Sequence, residues 1–374
     1  MPDLSLIMLG AGDSTRFKHT VKKQWLRFGD EPLWLFATKN IMQKALFEDI
    51  IVTSHKDELD YMKKFSDELI FVHGGKNRQE SLKNALLHVK TPYVLVSDIA
   101  RACIDKEMLT RIIKEKGEAD IIVPYIDVSD TVVYKDETID RDDVKLIQTP
   151  QLSKTETLKK ALAQDTVYTD DSSAVKSVGG SVKYVYGSKR AKKLTYFEDL
   201  EDLKCKESTS KDIFTGNGFD VHPFEKGKPM YLCGVKVHEN IGFKAHSDGD
   251  VALHALIDSL LGAIGAGDIG ELFPDSDKNY ENIDSKILLK NVFDFITKVG
   301  YKIINCDITI MAETPKLKEF KQQMSKTVSQ ILCLDPIKVN IKATTTEKLG
   351  FIGRKEGVAV NVTSTLKYID WNDL

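Results

Sequence analysis

Residues 4–17 read LSLIMLGAGDSTRF, six uncharged residues rich in Leu, Ile and Met running straight into a Gly-Ala-Gly turn. So short an apolar run, stopped by glycine, reads as a strand covered on both faces. The pattern returns in DIIVTS (49–54), LIFVHG (69–74), YVLVSD (93–98) and ADIIVPY (119–125), each with Gly, Ser, Asp or Pro at or next to its end. Between them, PLWLFATKNIMQKAL (32–46) and NRQESLKNALLHV (77–89) carry helical spacing. Strands alternating with helices imply an α/β, doubly wound, mostly parallel sheet, with function at the carboxyl ends of its strands.

The texture changes after residue 200. LEDLKCKESTSKD (200–212) turns polar over residues 204–212 and reads as a linker, which puts domains at 1–208 and 209–374. Beyond it, SDGDVALHALIDSLLGAIG (247–265), DSKILLKNVFDFITKVG (284–300) and LKEFKQQMSKTVSQIL (317–332) have helical patterns. KIINCDITIMAE (302–313), KVNIKATTT (338–346) and GVAVNVTSTLKYI (357–369) alternate as strands. This second domain reads as α+β, with helices on one face of a sheet. No internal repeat is present.

A chain of 374 residues suggests two or three domains at roughly 150 residues each. With 53 basic and 56 acidic residues the net charge is −3, so no global field recruits nucleic acid or an acidic membrane, and anions must be captured locally. No apolar stretch reaches the roughly 18 residues of a membrane span, and the N-terminus lacks a signal-peptide pattern. Five scattered cysteines without a CxxC pair support neither a disulfide framework nor a thiolate zinc site. These features together lead to the expectation of a cytoplasmic protein.

GFDVHPF (218–224) and KAHSDGDVALHAL (244–256) concentrate polar groups in a segment that should be folding. Asp220 and His222 stand two apart on an expected strand and so share a face. A helix beginning near Asp248, a natural N-cap, places Asp250 and His254 one turn apart. One carboxylate and two imidazoles suit Zn²⁺, and three protein ligands leave a coordination position open. Singly, each residue reads more simply as a helix cap or a satisfied core histidine; as a cluster they read as a metal site.

GFDVHPF, KAHSDGDVALHALIDSLLGAIGAGDIGELFPD (244–275) and IKATTTEKLGFIGRKEG (341–357) closely resemble the 2-C-methyl-D-erythritol 2,4-cyclodiphosphate synthases of the non-mevalonate isoprenoid pathway, over about residues 215–370. The resemblance implies Zn²⁺ on Asp220, His222 and His254. It implies that His246 and Ser247 bind the diphosphate, that Glu347 holds a second divalent ion, and that Asp268 and Gly270 contact the ribose. Ala312, Lys316 and Leu317 of AETPKL, with Ala343, Thr344 and Thr345, would form the cytosine pocket, Thr345 being catalytic. Phe351 and Arg354 would be further substrate contacts, Arg354 facing an anion at a symmetry axis. Such cyclases are trimers with sites shared between subunits. The chemistry suits these residue types: a 2-phosphate already ionised attacks a diphosphate and expels CMP, which calls for cations more than for a general base.

The glycine loop would serve poorly as a Rossmann or P-loop fingerprint, lacking the third glycine of one and the Gly-Lys-Ser/Thr of the other. Two glycines alone read as a turn, but Arg16 and the pair Lys22–Lys23 make a cradle for a triphosphate. With VHGGKNRQESL (72–82), LVSDIARACI (95–104), IQTPQL (147–152) and KKLTYFEDL (192–200), the first domain resembles 2-C-methyl-D-erythritol 4-phosphate cytidylyltransferases over about residues 4–205, and so a nucleotidyltransferase-type sheet. The resemblance implies that Arg16, Lys23 and Lys193 are catalytic on CTP, with Gly10, Ala11 and Gly12 in the phosphate loop. Gly74, Gly75 and Ser81 would bind cytosine and ribose, and Asp98 would contact ribose or Mg²⁺ (or Mn²⁺). Arg101 is retained with them. Thr131, Arg141 and Thr149 would grip the methylerythritol phosphate, the first two from a neighbouring subunit of a dimer. The family's loop usually reads A-A-G-x-G-x-R. Here Ser14 stands at its second glycine, Lys22 at the usual Pro before Lys23, and Ala102 at the Pro after Arg101.

The leading expectation is therefore a two-activity enzyme. Its first domain makes CDP-methylerythritol, a separate kinase phosphorylates that product, and the second domain cyclises it; association with that kinase is left open. A second reading keeps the cyclase active and makes the first domain a nucleotide-binding scaffold, favoured by Ser14 and opposed by the retained cations. A third, a generic sugar-nucleotide transferase, fits IQTPQL and KKLTYFEDL less well.

Overall fold

The computed structural model describes residues 2–245, 247–274 and 283–372, in two compact units, Met1–Ser208 and Thr209–Leu374.

In the first unit the strand Leu4–Leu9 is buried at every position and pairs in parallel with Ile50–Ser54 on one side and Tyr93–Asp98 on the other. Burial at every position, and so on both faces of the sheet, explains why the run is apolar without alternation. Ile70–His73 extends the sheet one way. On the other side Gln151–Lys154 enters antiparallel between Tyr93–Asp98 and Ile121–Asp127, and Val182–Tyr186 adds a parallel pairing to the latter. With Lys145–Ile147 at the far edge, the sheet has four parallel pairings and three antiparallel ones. Leu4–Leu9 is where the chain departs to both sides, a topological switch point, and the loop after it carries Gly10–Arg16. The helix Arg78–Leu86 is capped by Asn77, whose side chain accepts from Glu80 N at 2.9 Å. A small hairpin, Val132–Tyr134 with Glu137–Ile139, pairs only with itself.

Cysteine usage is the first correction. Cys103 and Cys205 form a disulfide, their Cα atoms 5.5 Å apart across 102 residues of sequence. The loop after Tyr93–Asp98 and the last segment of the unit pack together, as Leu194 N donating to Ala100 O also shows. No spacing rule could reveal a pairing set by tertiary contact. Cys233 and Cys306 are free and buried, Cys333 free and exposed.

The second unit is a five-stranded sheet in the spatial order Ile241–Phe243, Ile213–Lys226, Gly357–Tyr368, Tyr301–Met311, Val339–Thr344, with only the last pair parallel. The helix Val251–Ala263 presses against Ile213–Lys226 because two glycines let it. A Cβ on Gly216 would stand 2.0 Å from Ser259 O, and one on Gly218 1.9 Å from Ala255 O. Gly216, Gly218, Asp220 and His222 share one face of the strand, so the glycines bring the helix down beside the acid and the imidazole. No helix among the described residues is long and apolar enough to cross a membrane.

Candidate active sites

In the first unit the glycine loop opens on a cavity of about 490 Å³ that also meets Thr53, His55, Ser81, Asp98 and Lys193. It brings together Gly10, Ala11, Gly12, Arg16, Lys23, Gly75, Ser81, Asp98 and Lys193 of the expected set. Gly10 donates to Thr53 Oγ1 at 3.1 Å, and a Cβ there would meet Thr53 O at 2.9 Å. Gly74 lies behind the wall, where a Cβ would strike that of Ala11 at 2.2 Å. Gly12 has open space before it, as a loop needs if its backbone is to approach a phosphate.

The charges interlock. Lys193 and Arg78 both hold Asp98, at 2.5 and 3.3 Å, and Arg78 also grips Asp171 through both nitrogens, at 2.6 and 3.3 Å. Burial pushes the Asp98 carboxyl up, but Arg78 and Lys193 overcome it and hold it well below the usual carboxylate range. Lys23 donates to Leu194 O at 3.1 Å. Burial, then the neighbouring Lys193 charge, lowers its ammonium to about 8. Burial also lowers the Arg101 guanidinium, which caps Ala191 O at 2.6 Å. Thr149 is buried, with Asp98 N donating to its Oγ1 at 3.4 Å. Thr131 and Arg141 are exposed beside the small hairpin and do not line the cleft; the Arg141 guanidinium donates to Ser129 O at 2.8 Å. Sequence reasoning passed over Arg78, although VHGGKNRQESL contains it, because its partner Asp171 lies 93 residues away.

In the second unit Asp220, His222 and His254 each offer a ligand atom, all within 4.8 Å of one another. Asp220 Oδ2 lies 3.7 Å from His222 Nε2 and 3.4 Å from His254 Nδ1. The far nitrogen of His254 is fixed by Ser247 Oγ at 3.2 Å and Ser285 Oγ at 3.0 Å; Ser285 in turn donates to Asp248 at 2.5 Å. His222 Nδ1 is buried beside the Gly249 backbone without an aligned hydrogen bond. Burial keeps the His222 ring toward its neutral form, the form that binds metal. Two oriented imidazoles and a carboxylate converging on one point fit a divalent cation of borderline softness.

The cap of the following helix is corrected here. Asp250, not Asp248, is the N-cap of Val251–Ala263, accepting from Ala252 N and Leu253 N and also from Cys233 N and Gly234 N at 2.9 and 2.6 Å. Asp248 instead anchors Ser285, so the role is supportive of His254. His246 lies outside the described residues. Asp268 caps the short helix Ile269–Leu272, in whose first turn Gly270 is exposed.

The residues expected around the cytosine lie on two neighbouring turns. Ala312 N donates to Thr344 O at 2.9 Å, and Glu313, within the same AETPKL stretch, accepts from Thr346 N and Lys348 N at 3.2 Å each. Leu317 is buried while Lys316, Thr344 and Phe351 are exposed. Thr345 Oγ1 donates to Glu347 Oε1 at 2.9 Å, and Arg354 is exposed and paired with Glu356 at 2.9 Å. Across the sheet Asp220, Val360, Ile310 and Ala343 form one row. Three strand spacings of roughly 4.8 Å put the backbone of Ala343 about 14 Å from that of Asp220 within one chain.

The comparisons with known proteins follow the same two halves. Residues 4–204 match the 2-C-methyl-D-erythritol 4-phosphate cytidylyltransferase family, and residues 213–367 the YgbB family. The bifunctional enzyme IspD/IspF of Campylobacter fetus subsp. fetus (strain 82-40) is 57% identical over 374 residues, 100% of both chains. That of Aliarcobacter butzleri (strain RM4018) is 55% identical over 371 residues, 99% of each. The solved structure of the bifunctional IspDF from Campylobacter jejuni is similar with a TM-score of 0.88 at 51% identity, covering 99% of each chain. Because the similarity runs through both units end to end, this chain belongs to the bifunctional IspD/IspF enzymes, in which a cytidylyltransferase and a cyclodiphosphate synthase are joined in one polypeptide.

Proposed function

We propose a division of labour among the residues of the two sites. The first unit transfers CMP from CTP to 2-C-methyl-D-erythritol 4-phosphate and releases pyrophosphate. Gly10, Ala11 and Gly12 present backbone to the triphosphate, and Lys23, Arg16 and Lys193 supply charge where it builds at the α-phosphate as the acceptor oxygen attacks. The observation that carries this is the meeting of those three cations in one glycine-walled cavity. Gly74, Gly75 and Ser81 take the nucleoside. Asp98 keeps Lys193 and Arg78 aimed and faces the ribose or the ion that accompanies CTP. Thr149 and Arg101 sit beside Asp98, while Thr131 and Arg141 reach a methylerythritol phosphate from a second copy in a dimer.

The second unit closes 4-CDP-2-C-methyl-D-erythritol 2-phosphate to the 2,4-cyclodiphosphate and releases CMP. Asp220, His222 and His254 would hold Zn²⁺, and Glu347 a Mg²⁺ or Mn²⁺ ion. Bound divalent ions supply positive charge and alignment to phosphates that otherwise repel. Ser247, with His246, orients the diphosphate, and Asp268 and Gly270 take the ribose. Ala312, Lys316, Leu317, Ala343 and Thr344 enclose the cytosine beside Thr345, with Phe351 and Arg354 at the margin. A gap of about 14 Å between the backbones of Asp220 and Ala343 favours a site shared by neighbouring copies in a trimer, each giving one half.

Two inactive variants test the shared site, His222→Ala lacking the metal half and Ala312→Trp with a blocked pocket. After subunit exchange about a quarter of the sites should pair two intact halves, as a heterologous interface allows. Each variant is first shown to be folded and oligomeric. Exchange without any recovery of cyclase activity places the whole site within one chain.

A further inference from the structure

We propose that Glu58 is a positioning residue for the transferase, holding the glycine loop and Lys23 in their working geometry through a buried network. Glu58 is 2% exposed and does not line the nucleotide cavity. Its Oε2 accepts from Trp25 Nε1 at 2.6 Å and from Gln24 Nε2 at 3.4 Å, and its Oε1 meets Lys22 Nζ at 2.5 Å. A carboxylate so far from water persists only with such partners. All three partners come from Lys22–Trp25, the segment that contains Lys23; Lys22 itself, expected in the triphosphate cradle, pairs with Glu58 and Asp13 and does not line the cavity.

The same network reaches the loop. Gln24 Nε2 donates to Gly12 O at 3.1 Å, and Ser14 Oγ donates to Gln24 Oε1 at 2.9 Å while accepting from Lys23 N at 3.3 Å. Two backbone positions show what these bonds maintain. Ser14 sits at φ 57°, ψ 27°, a left-handed conformation that glycine takes freely and serine does not. Lys22 sits at φ −70°, ψ 134°, the geometry a proline ring would lock. Ser14 thus holds by side-chain bonds a conformation that glycine would take without strain, and Lys22 one that a proline ring would lock. Glu58 secures one end through Lys22 and the other through Gln24. Release of either end frees the loop and the backbone of Lys23 to move, and a misplacement on the order of 1 Å can cost about a hundredfold in rate.

The inference rests on the assignment of Lys23 to CTP, which Lys23→Ala tests by itself. In the full-length enzyme, Glu58→Gln keeps an acceptor for Trp25 and loses only the charge pair. Its kcat for CTP-dependent pyrophosphate release should fall about tenfold with the KM for CTP little changed. Cyclase rate and folded fraction, measured on the same preparation, should stay at wild-type values. The triple variant S14G/K22P/E58Q should recover to within about threefold of wild type, since its backbone no longer depends on the network. Ser14→Ala and Ser14→Gly give a second reading at a partly exposed position: both lose the hydroxyl, but only alanine retains the strain, so S14A should be the slower. The proposal is overturned if E58Q turns over at the wild-type rate, if its loss follows the folded fraction, if the triple variant stays as slow as E58Q, or if S14A matches S14G. A slow K23A beside a fast E58Q overturns the role of Glu58 alone. A K23A enzyme at full rate removes the assignment of Lys23 and, with it, the purpose given to Glu58.

Discussion

The candidate metal cluster takes its ligand atoms from one strand and one adjoining helix, whereas the transferase cleft gathers charge from segments spread between Gly10 and Lys193. In the first, local geometry does the assembling: strand alternation aims Asp220 and His222 together, and two small residues admit the helix that brings His254. In the second, ion pairs between distant loops do it, Arg78 tying Asp98 to Asp171 and Lys193 tying Asp98 to the end of the unit. A local cluster should fail completely when one ligand goes. A distributed cleft should lose rate in parts.

The largest effect follows from the local site. His222→Ala or His254→Ala should abolish cyclisation and bound zinc, because two remaining ligands make too few for a tight site. CTP-dependent transfer in the same preparation should continue, since it belongs to the other unit. Metal analysis beside the two assays checks it, and stoichiometric zinc in the double variant would sink the ligand assignment.

Next is the distributed site. Lys23→Ala should depress kcat roughly 10²-fold or more, far more than it raises the KM for CTP, as removal of a charge used most in the transition state does. A change confined to KM would mean that Lys23 serves the ground state only. Either outcome should leave the cyclase untouched.

Smaller still is Gly218→Ala, which adds one methyl where Ala255 O stands 1.9 Å away. The helix must shift, withdrawing His254 from Asp220 without removing any ligand. Disturbed support of this kind weakens metal binding by about 10- to 100-fold. Zinc competition with a chelator measures it. Unchanged affinity would show that the cluster does not depend on the close approach of helix and strand.

The same contrast explains what could be read in advance. Buried parallel strands such as Leu4–Leu9 announce themselves because both faces must be apolar, and the period of two places Asp220 and His222 on a common face from sequence alone. The antiparallel entry of Gln151–Lys154 carries no comparable mark, since its four residues look the same in either direction. The Arg78–Asp171 pair and the Cys103–Cys205 bridge span 93 and 102 residues, and both depend on where loops come to rest. The N-cap shifted from Asp248 to Asp250 because two further donors, Cys233 N and Gly234 N, reach the second carboxylate from another segment. Local sequence cannot announce a donor that arrives by tertiary folding. The resemblances supplied residue roles in both domains, and the transferase depended on them more because its polar groups are single residues scattered over many turns.

The smallest effect is a pH limb that the transferase should have. Burial and the adjacent Lys193 charge bring the Lys23 ammonium down to about 8, so its useful charged form is lost as pH rises through that value. The rate constant kcat/KM reports groups in the free enzyme, and for CTP it should therefore fall above pH about 8, approaching tenfold per unit. Bound triphosphate adds negative charge beside Lys23 and favours the ammonium, so the corresponding limb in kcat should lie at higher pH. The separation between the two limbs then measures how strongly the nucleotide and Lys23 interact. Profiles from pH 6.5 to about 9.5, with the folded fraction followed at each point, are sufficient to see it. A kcat/KM flat across that range would mean either that Lys23 keeps its charge despite its surroundings or that its charge is not used. K23A separates these: only in the first case does it remain slow.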